Sequence, residues 1–126
     1  MIKRFDRLDV ATSDLADAAA IYNRNFGFTV RREPASDGSE AAIITVGDAE
    51  IRLRTGAAVT DFIAASGEGL AALWLEADDV DAVAAALDRA GMPRQPVRHE
   101  GGRRILEVDP RAANMVALFI FDRRAP

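Results

Sequence analysis

Few side chains in this sequence carry ready-made chemistry. It has no cysteine, which removes disulfides, thiolate metal sites and a cysteine nucleophile. The single histidine, His99, falls near an expected hairpin tip and reads as a solvated residue. Thr12 and Ser13 offer hydroxyls, but no histidine stands near enough to activate them, and they are better explained as helix caps. Arg103 and Arg104 read as a solvated edge, because Glu100 and Glu107 flank them and reduce the local charge. Trp74 is the only tryptophan. Its indole suits stacking on an aromatic or cationic ligand, or filling a core or dimer interface.

Composition narrows the partners. Sixteen basic and twenty acidic side chains leave a net charge of −4. That balance argues against nucleic acid, which needs a surplus of Lys and Arg on one face. The basic residues are arginines apart from Lys3, a bias that carries little weight by itself. No apolar run approaches the ~20 residues of a membrane helix. The basic residues Lys3 and Arg4 have no apolar stretch behind them, as a signal peptide would require. With 126 residues, 49% hydrophobic and 29% charged, the expectation is one soluble, cytoplasmic domain with a genuine core.

The elements that would position these residues come in two copies. Asp14-Leu15 lines up with Asp79-Val80, and Tyr22 with Leu87, each 65 residues apart. In each copy a strand leads to an acidic helix start, about three turns of helix and a glycine stop. Leu8 and Val10 alternate with Arg7, Asp9 and Ala11, and Leu73, Leu75 and Ala77 alternate with Ala72, Trp74 and Glu76. That is the period of a half-buried strand. The first helix, capped by Ser13 or Asp14, places Leu15, Ala18, Ala19, Tyr22 and Phe26 on one face. The second, capped by Asp78 or Asp79, does so with Val80, Val83, Ala84 and Leu87. Gly27 and Gly91 stand where a left-handed C-cap belongs. Strands are expected at Phe28–Arg32, Ala41–Val46 and Glu50–Arg54 after the first helix, and at Val97–Glu100, Arg104–Val108 and Met115–Phe121 after the second. Turns are expected at Ser36-Asp37-Gly38, Gly47-Asp48, Gly101-Gly102 and Asp109-Pro110. Residues 55–69 form a linker with one helical turn around Phe62.

Asp14-Leu15…Tyr22…Gly27, its echo Asp79-Val80…Gly91 and the late Asp109-Pro110…Asn114 resemble the vicinal oxygen chelate superfamily of glyoxalase I, bleomycin-resistance proteins and extradiol dioxygenases. The resemblance covers nearly the whole chain and rests on the order and spacing of several motifs together. It implies an α+β fold in which two βαβββ modules, 1–56 and 70–124 joined by a linker at 57–69, form one cup-shaped, mostly antiparallel sheet. It also implies a homodimer, with modules paired within one chain or exchanged between two.

Most enzymes of that superfamily hold a divalent metal in the cup. The ligands lie seven residues before each helix-start Asp and on the last strand of each module. Carried onto this sequence, those places are Arg7, Ala72, Arg52 and Ala117. Arginine has only donors and stays charged, and alanine has no ligand atom, so no metal and no cofactor is expected. A shift of two residues would bring in Asp9, Trp74, Glu50 or Arg54, and Phe119, which is two carboxylates at most.

If Leu8, Val10, Ile51, Leu53, Leu73, Leu75, Val116, Leu118 and Ile120 face the helices, their alternates line the cup. The resulting ligand-binding set is Arg7, Asp9, Arg52, Trp74, Glu76, Met115 and Phe119, with Glu50 and Arg54 beside them. Arg7 and Arg52 would hold an anionic ligand or a developing oxyanion, or else pair with Asp9, Glu50 and Glu76 in an even balance of charge. Asp9 and Glu76 are the candidate general bases if burial raises their pKa. The expected function is metal-free binding of a small organic molecule, sequestering a toxic natural product or carrying a metabolite. Two other classes stay open: a metal-independent isomerase or lyase in the same cup, and a non-catalytic dimerisation module whose cup its own side chains fill. No nucleic acid or membrane partner is expected.

Overall fold

A computed structural model describes residues 1–35 and 37–124. The fold is α+β, with eight strands and three α-helices among the described residues. Among the described residues no helix is long and apolar enough to cross a membrane. The chain divides into two compact units, residues 7–71 and residues 1–6 with 72–126.

The unit 7–71 is a βαβββ motif. Strand β1 (Ile2–Ala11) leads into helix α1 (Leu15–Phe26), followed by β2 (Arg31–Pro34), β3 (Glu40–Val46) and β4 (Ala49–Arg54). Its strands lie in the order β2-β3-β4-β1, with β1 parallel to β4 and the other pairs antiparallel. Asp14 caps α1 by accepting from the Asp17 N–H at 3.0 Å. Gly27 closes the helix in the left-handed region at φ 72°, its N–H reaching the Asn23 carbonyl. Four of the five residues in the expected stripe of α1 pack on the sheet, Leu15, Ala18, Ala19 and Tyr22 meeting Val10, Ala42, Ile44, Ile51 and Leu53, whereas Phe26 in the last turn is 66% exposed and lies outside this core.

The second unit repeats the motif. Strand β5 (Gly69–Ala77) precedes helix α3 (Val80–Arg89), then β6 (Arg98–Glu100), β7 (Arg103–Val108) and β8 (Leu118–Asp122). The strand order is β5-β8-β7-β6, and β5 runs parallel to β8 as β1 does to β4. Asp79 caps α3 through the Asp81 N–H at 2.9 Å. Here the helix ends on Ala90, and Gly91 takes the left-handed turn one residue later. The Met92 N–H reaches the Leu87 carbonyl and the Gly91 N–H that of Asp88, which is the Schellman arrangement. Val80, Val83 and Ala84 pack against Leu106, Val108 and Ile120, with Leu75 and Leu118 beside them.

Four expectations need correction. The linker holds a ten-residue helix, α2 (Ala57–Ser66), rather than one turn around Phe62. Glycines bound it at both ends, and its N-cap Gly56 gives no side-chain cap, so the usual start signal is missing. The strand after α1 starts at Arg31 rather than Phe28, because Phe28 and Val30 pack against the α1 core instead of entering the ladder. The last strand starts at Leu118 rather than Met115. Asp109 caps a 3-10 helix at Pro110–Ala113, and the N–H groups of Met115 and Val116 turn back to the carbonyls of Pro110 and Ala113. Met115 is therefore left-handed at φ 65° and outside the sheet.

The fourth correction concerns Arg104, which is no solvated edge but a buried residue. Its guanidinium grips Asp122 from Nε at 2.9 Å and Nη2 at 2.6 Å, and reaches Asp81 and Asp79 at 2.7 and 3.0 Å. Arg103 lies 5.4 Å from the Trp74 ring centroid and 5.2 Å from that of Phe121. Of the expected turn Ser36-Asp37-Gly38, Ser36 lies outside the described residues.

Candidate functional site

In the unit 7–71, the parallel pairing of β1 with β4 sets Arg7 against Glu50 and Asp9 against Arg52. Strand alternation sends Val10, Ile51 and Leu53 to the helix side. Arg7, Asp9, Glu50, Arg52 and Arg54 therefore share the opposite face. Arg7 is 5% exposed and Asp9 7%. Their closest charged atoms, Arg7 Nε and Asp9 Oδ1, stand 3.6 Å apart, an ion pair rather than a hydrogen bond. Glu50 accepts from Arg52 Nε at 2.9 Å and from Arg31 Nη2 at 3.0 Å. Burial pushes the Glu50 pKa up, but the hydrogen bonds and charges of Arg52 and Arg31 outweigh it, and the net direction is down. Arg54 Nε is buried without a hydrogen-bond partner among the described residues.

The second unit offers a different surface. Trp74 lies opposite Phe119 in the β5–β8 register, and their rings stack at 4.5 Å with 12° between planes. Phe121 tilts against Trp74 at 6.3 Å. Three guanidinium groups lie near these rings: Arg103, Arg98 at 5.9 Å from Phe119, and Arg123 at 5.4 Å from Phe121. Trp74 is buried and Phe119 half-buried. Glu76, also buried, takes ion pairs from Lys3 at 3.4 Å, Arg4 at 3.5 Å and Arg123 at 3.4 Å. Burial raises its pKa, but Lys3, Arg4 and Arg123 together bring it below the ordinary glutamate value. The raised pKa required of a general base at Glu76 is therefore absent.

The structure thus gathers Arg7, Asp9 and Arg52 in one unit, and Trp74, Glu76 and Phe119 in the other. Met115 joins neither group, being 73% exposed beyond the start of β8. The even charge balance expected for the sheet face also changes. Glu76 is engaged instead by Lys3, Arg4 and Arg123, and Glu50 pairs with Arg31 as well as with Arg52. The sequence reading takes Arg103 for a solvated edge and does not single out Arg98 or Arg123, though all three lie near the aromatic rings. The signal for Arg103 was its two-residue spacing from Ile105, which pairs with Phe121.

The places where the superfamily resemblance implies a metal hold guanidinium groups at Arg7 and Arg52 and methyl groups at Ala72 and Ala117. None supplies a ligand atom, so these residues do not fit a divalent cation. His99 stands on the exposed strand β6, opposite Arg104 in the register. Among the described residues no three His, Cys, Asp or Glu side chains come together in a way that could hold a metal ion.

Solved structures share the fold. A methylmalonyl-CoA epimerase in complex with methylmalonyl-CoA and NH4+ superposes with a TM-score of 0.81 at 24% identity, covering 99% of this chain and 97% of that one. Methylmalonyl-CoA epimerase from Mycobacterium tuberculosis gives 0.80 at 24% identity, over 99% of this chain and 90% of the other. A hypothetical protein from Bacillus halodurans C-125 gives 0.80 at 18% identity, over 98% and 96%. At these identities the likeness establishes the fold alone. No curated protein matches the sequence. The sequence model of the Glyoxalase/Bleomycin resistance protein/Dioxygenase superfamily matches residues 4–116, nearly the whole length, and the chain belongs to that superfamily.

Proposed function

We propose that this protein binds a small organic anion without a metal, on the face of the 7–71 unit that β1 and β4 turn away from α1. The carrying observation is Arg54, which shares that face with Arg52 and whose Nε is buried with no hydrogen-bond partner among the described residues. A desolvated guanidinium gains most from a carboxylate or phosphate that its fork can grip. Asp9 would orient Arg7 and accept from the ligand. The protein would act as a homodimeric, cytoplasmic binder that sequesters or carries its ligand.

Native mass spectrometry of the purified protein, with elemental analysis, tests this reading. A dimer carrying a co-purified organic anion, retained after EDTA and lost in Arg52→Ala, is the expected result. Arg52 is partly exposed, so the variant keeps its fold. A bound ligand that is neutral or cationic, or that leaves with a chelated metal, would overturn it.

A second reading is favoured by the epimerases among the fold neighbours. An isomerase would remove a proton beside a thioester carbonyl and return it on the other side, with Asp9 as base and a guanidinium stabilising the oxyanion. Methylmalonyl-CoA incubated in D2O would then gain deuterium, and Asp9→Asn would stop the exchange. Equal exchange with and without protein would remove this reading and leave the binder.

A further inference from the structure

The helix side of the 7–71 unit contains an open cavity of about 230 Å3 between α1 and the sheet. Its floor is Val10 and Leu53, and Ile21 and Tyr22 form the helix wall. Val10, Leu53 and Tyr22 belong to the α1 core cluster, Ile21 is an exposed apolar side chain at the edge, and the small Ala18 beside them leaves the space unfilled. Two carboxylates complete the lining, Asp17 on α1 and Glu68 on the segment after α2, and among the described residues no basic side chain lines the cavity.

The Glu68 carboxylate is fixed in place. Its Oε1 accepts from the Thr12 hydroxyl at 2.8 Å, the Ser13 N–H at 2.7 Å and the Ser13 hydroxyl at 3.0 Å. All three donors meet one oxygen, and among the described residues Oε2 has no partner. Those hydrogen bonds also lower the Glu68 pKa, so the group is ionised at neutral pH. Thr12 and Ser13 therefore do more than precede a helix, since they aim a carboxylate at the rim of an apolar cavity. Asp17, whose carboxylate also lacks a partner among the described residues, adds a second negative charge.

We propose that this cavity is a second binding site, for a small organic ammonium ion with an apolar body. The hydrocarbon part would lie on Val10, Leu53 and Ile21, the π face of Tyr22 would meet the cationic end, and Glu68 Oε2 would accept its N–H. A cavity of this size lies below the roughly 300–1,000 Å3 of drug-sized pockets, so the ligand is a small amine. The site lies on the opposite side of the sheet from Arg7 and Arg52 and prefers the opposite charge, so either site can fail without the other.

The test is an amide-resolved NMR titration of the whole protein with 2-phenylethylammonium, and separately with 3-phenylpropionate as the anion of similar shape. The cation should give saturable shifts at Ile21, Tyr22, Glu68 and Gly69, and the anion none there. Glu68→Gln should weaken the cation by about tenfold or more, the scale of a hydrogen bond to a charged group. Ala18→Leu should abolish binding by filling the cavity. Should Glu68→Gln not fold, Asp17→Asn on the exposed helix surface gives the same comparison with a smaller loss. No saturable shift with the cation, an equal response to the anion, or unchanged affinity in both charge variants would overturn the proposal.

Discussion

Asp122 ends β8 with its carboxylate almost fully enclosed, 1% exposed. Oδ1 accepts from Arg104 Nε and the Arg124 N–H, and Oδ2 accepts from Arg104 Nη2 and the Val80 N–H. A buried carboxylate is costly unless its lone pairs are filled, and here they are. Asp122→Ala removes a buried charge and leaves the first amide of α3 without its acceptor. Stability should fall by about 3–5 kcal/mol, measured by urea unfolding followed through Trp74 fluorescence. Asp122→Asn, which keeps an acceptor oxygen, should lose less, and an unchanged midpoint in both would show that the cluster adds no stability. None of this was legible from sequence. Glu100 and Glu107 flank Arg104 in the chain, but the strand period turns Arg104 toward α3 and away from both, and its partner Asp122 lies eighteen residues on. Asp14 and Asp79 were legible because a cap acts within its own helical turn.

At the scale of elements, the two helix starts look alike but carry different loads. Asp14 accepts one N–H, whereas Asp79 caps α3 and also receives Arg104 and Arg124. Asp14→Ala should cost ~1 kcal/mol, the ordinary value of an N-cap, and Asp79→Ala should cost more. Thermal unfolding of the two variants side by side checks the order; equal losses would mean that the arginines give Asp79 nothing. The strands β1, β3, β4, β5 and β7 and the helices α1 and α3 could be read from their periods. The misses at α2 and β8 share one cause, which is backbone satisfied locally. At α2 the chain closes a helix between two glycines, and after β7 the Asp109-Pro110 start winds the backbone into a 3-10 turn that delays β8. Alternating apolar residues at Met115, Ala117 and Phe119 mimic a strand that the turn geometry forbids at its first position.

For the molecule as a whole, ionised carboxylates link stability to pH. Asp122 is pushed up by burial, but Arg104 and the amides of Val80 and Arg124 bring it below its ordinary value, and Glu76 behaves likewise. Asp109 is held at about 2 by its hydrogen bonds from Arg111. Groups with lowered pKa stabilise the fold above their unfolded values of about 4, and that contribution is lost as pH falls through the folded values. Urea midpoints should therefore be level between pH 7 and 5 and drop below about pH 4. A decline already complete at pH 5 would contradict the assignment. The fold was legible at this scale because a repeat announces itself. The candidate site was legible only in part, since Arg7, Asp9 and Arg52 follow from alternation, while the cations that claim Glu76 come from three separate segments. One consequence concerns time. The unit 7–71 is a single run of chain, whereas the other unit joins residues 1–6 to residues 72–126. Met1 receives the Asp78 N–H, and Lys3 and Arg4 pair with Glu76. Residues 1–6 must therefore wait until the sixty-five between the segments have been synthesised, roughly 3–13 s at about 5–20 residues per second. On a ribosome the unit 7–71 can mature before the other, and residues 1–6 spend that interval without their partners.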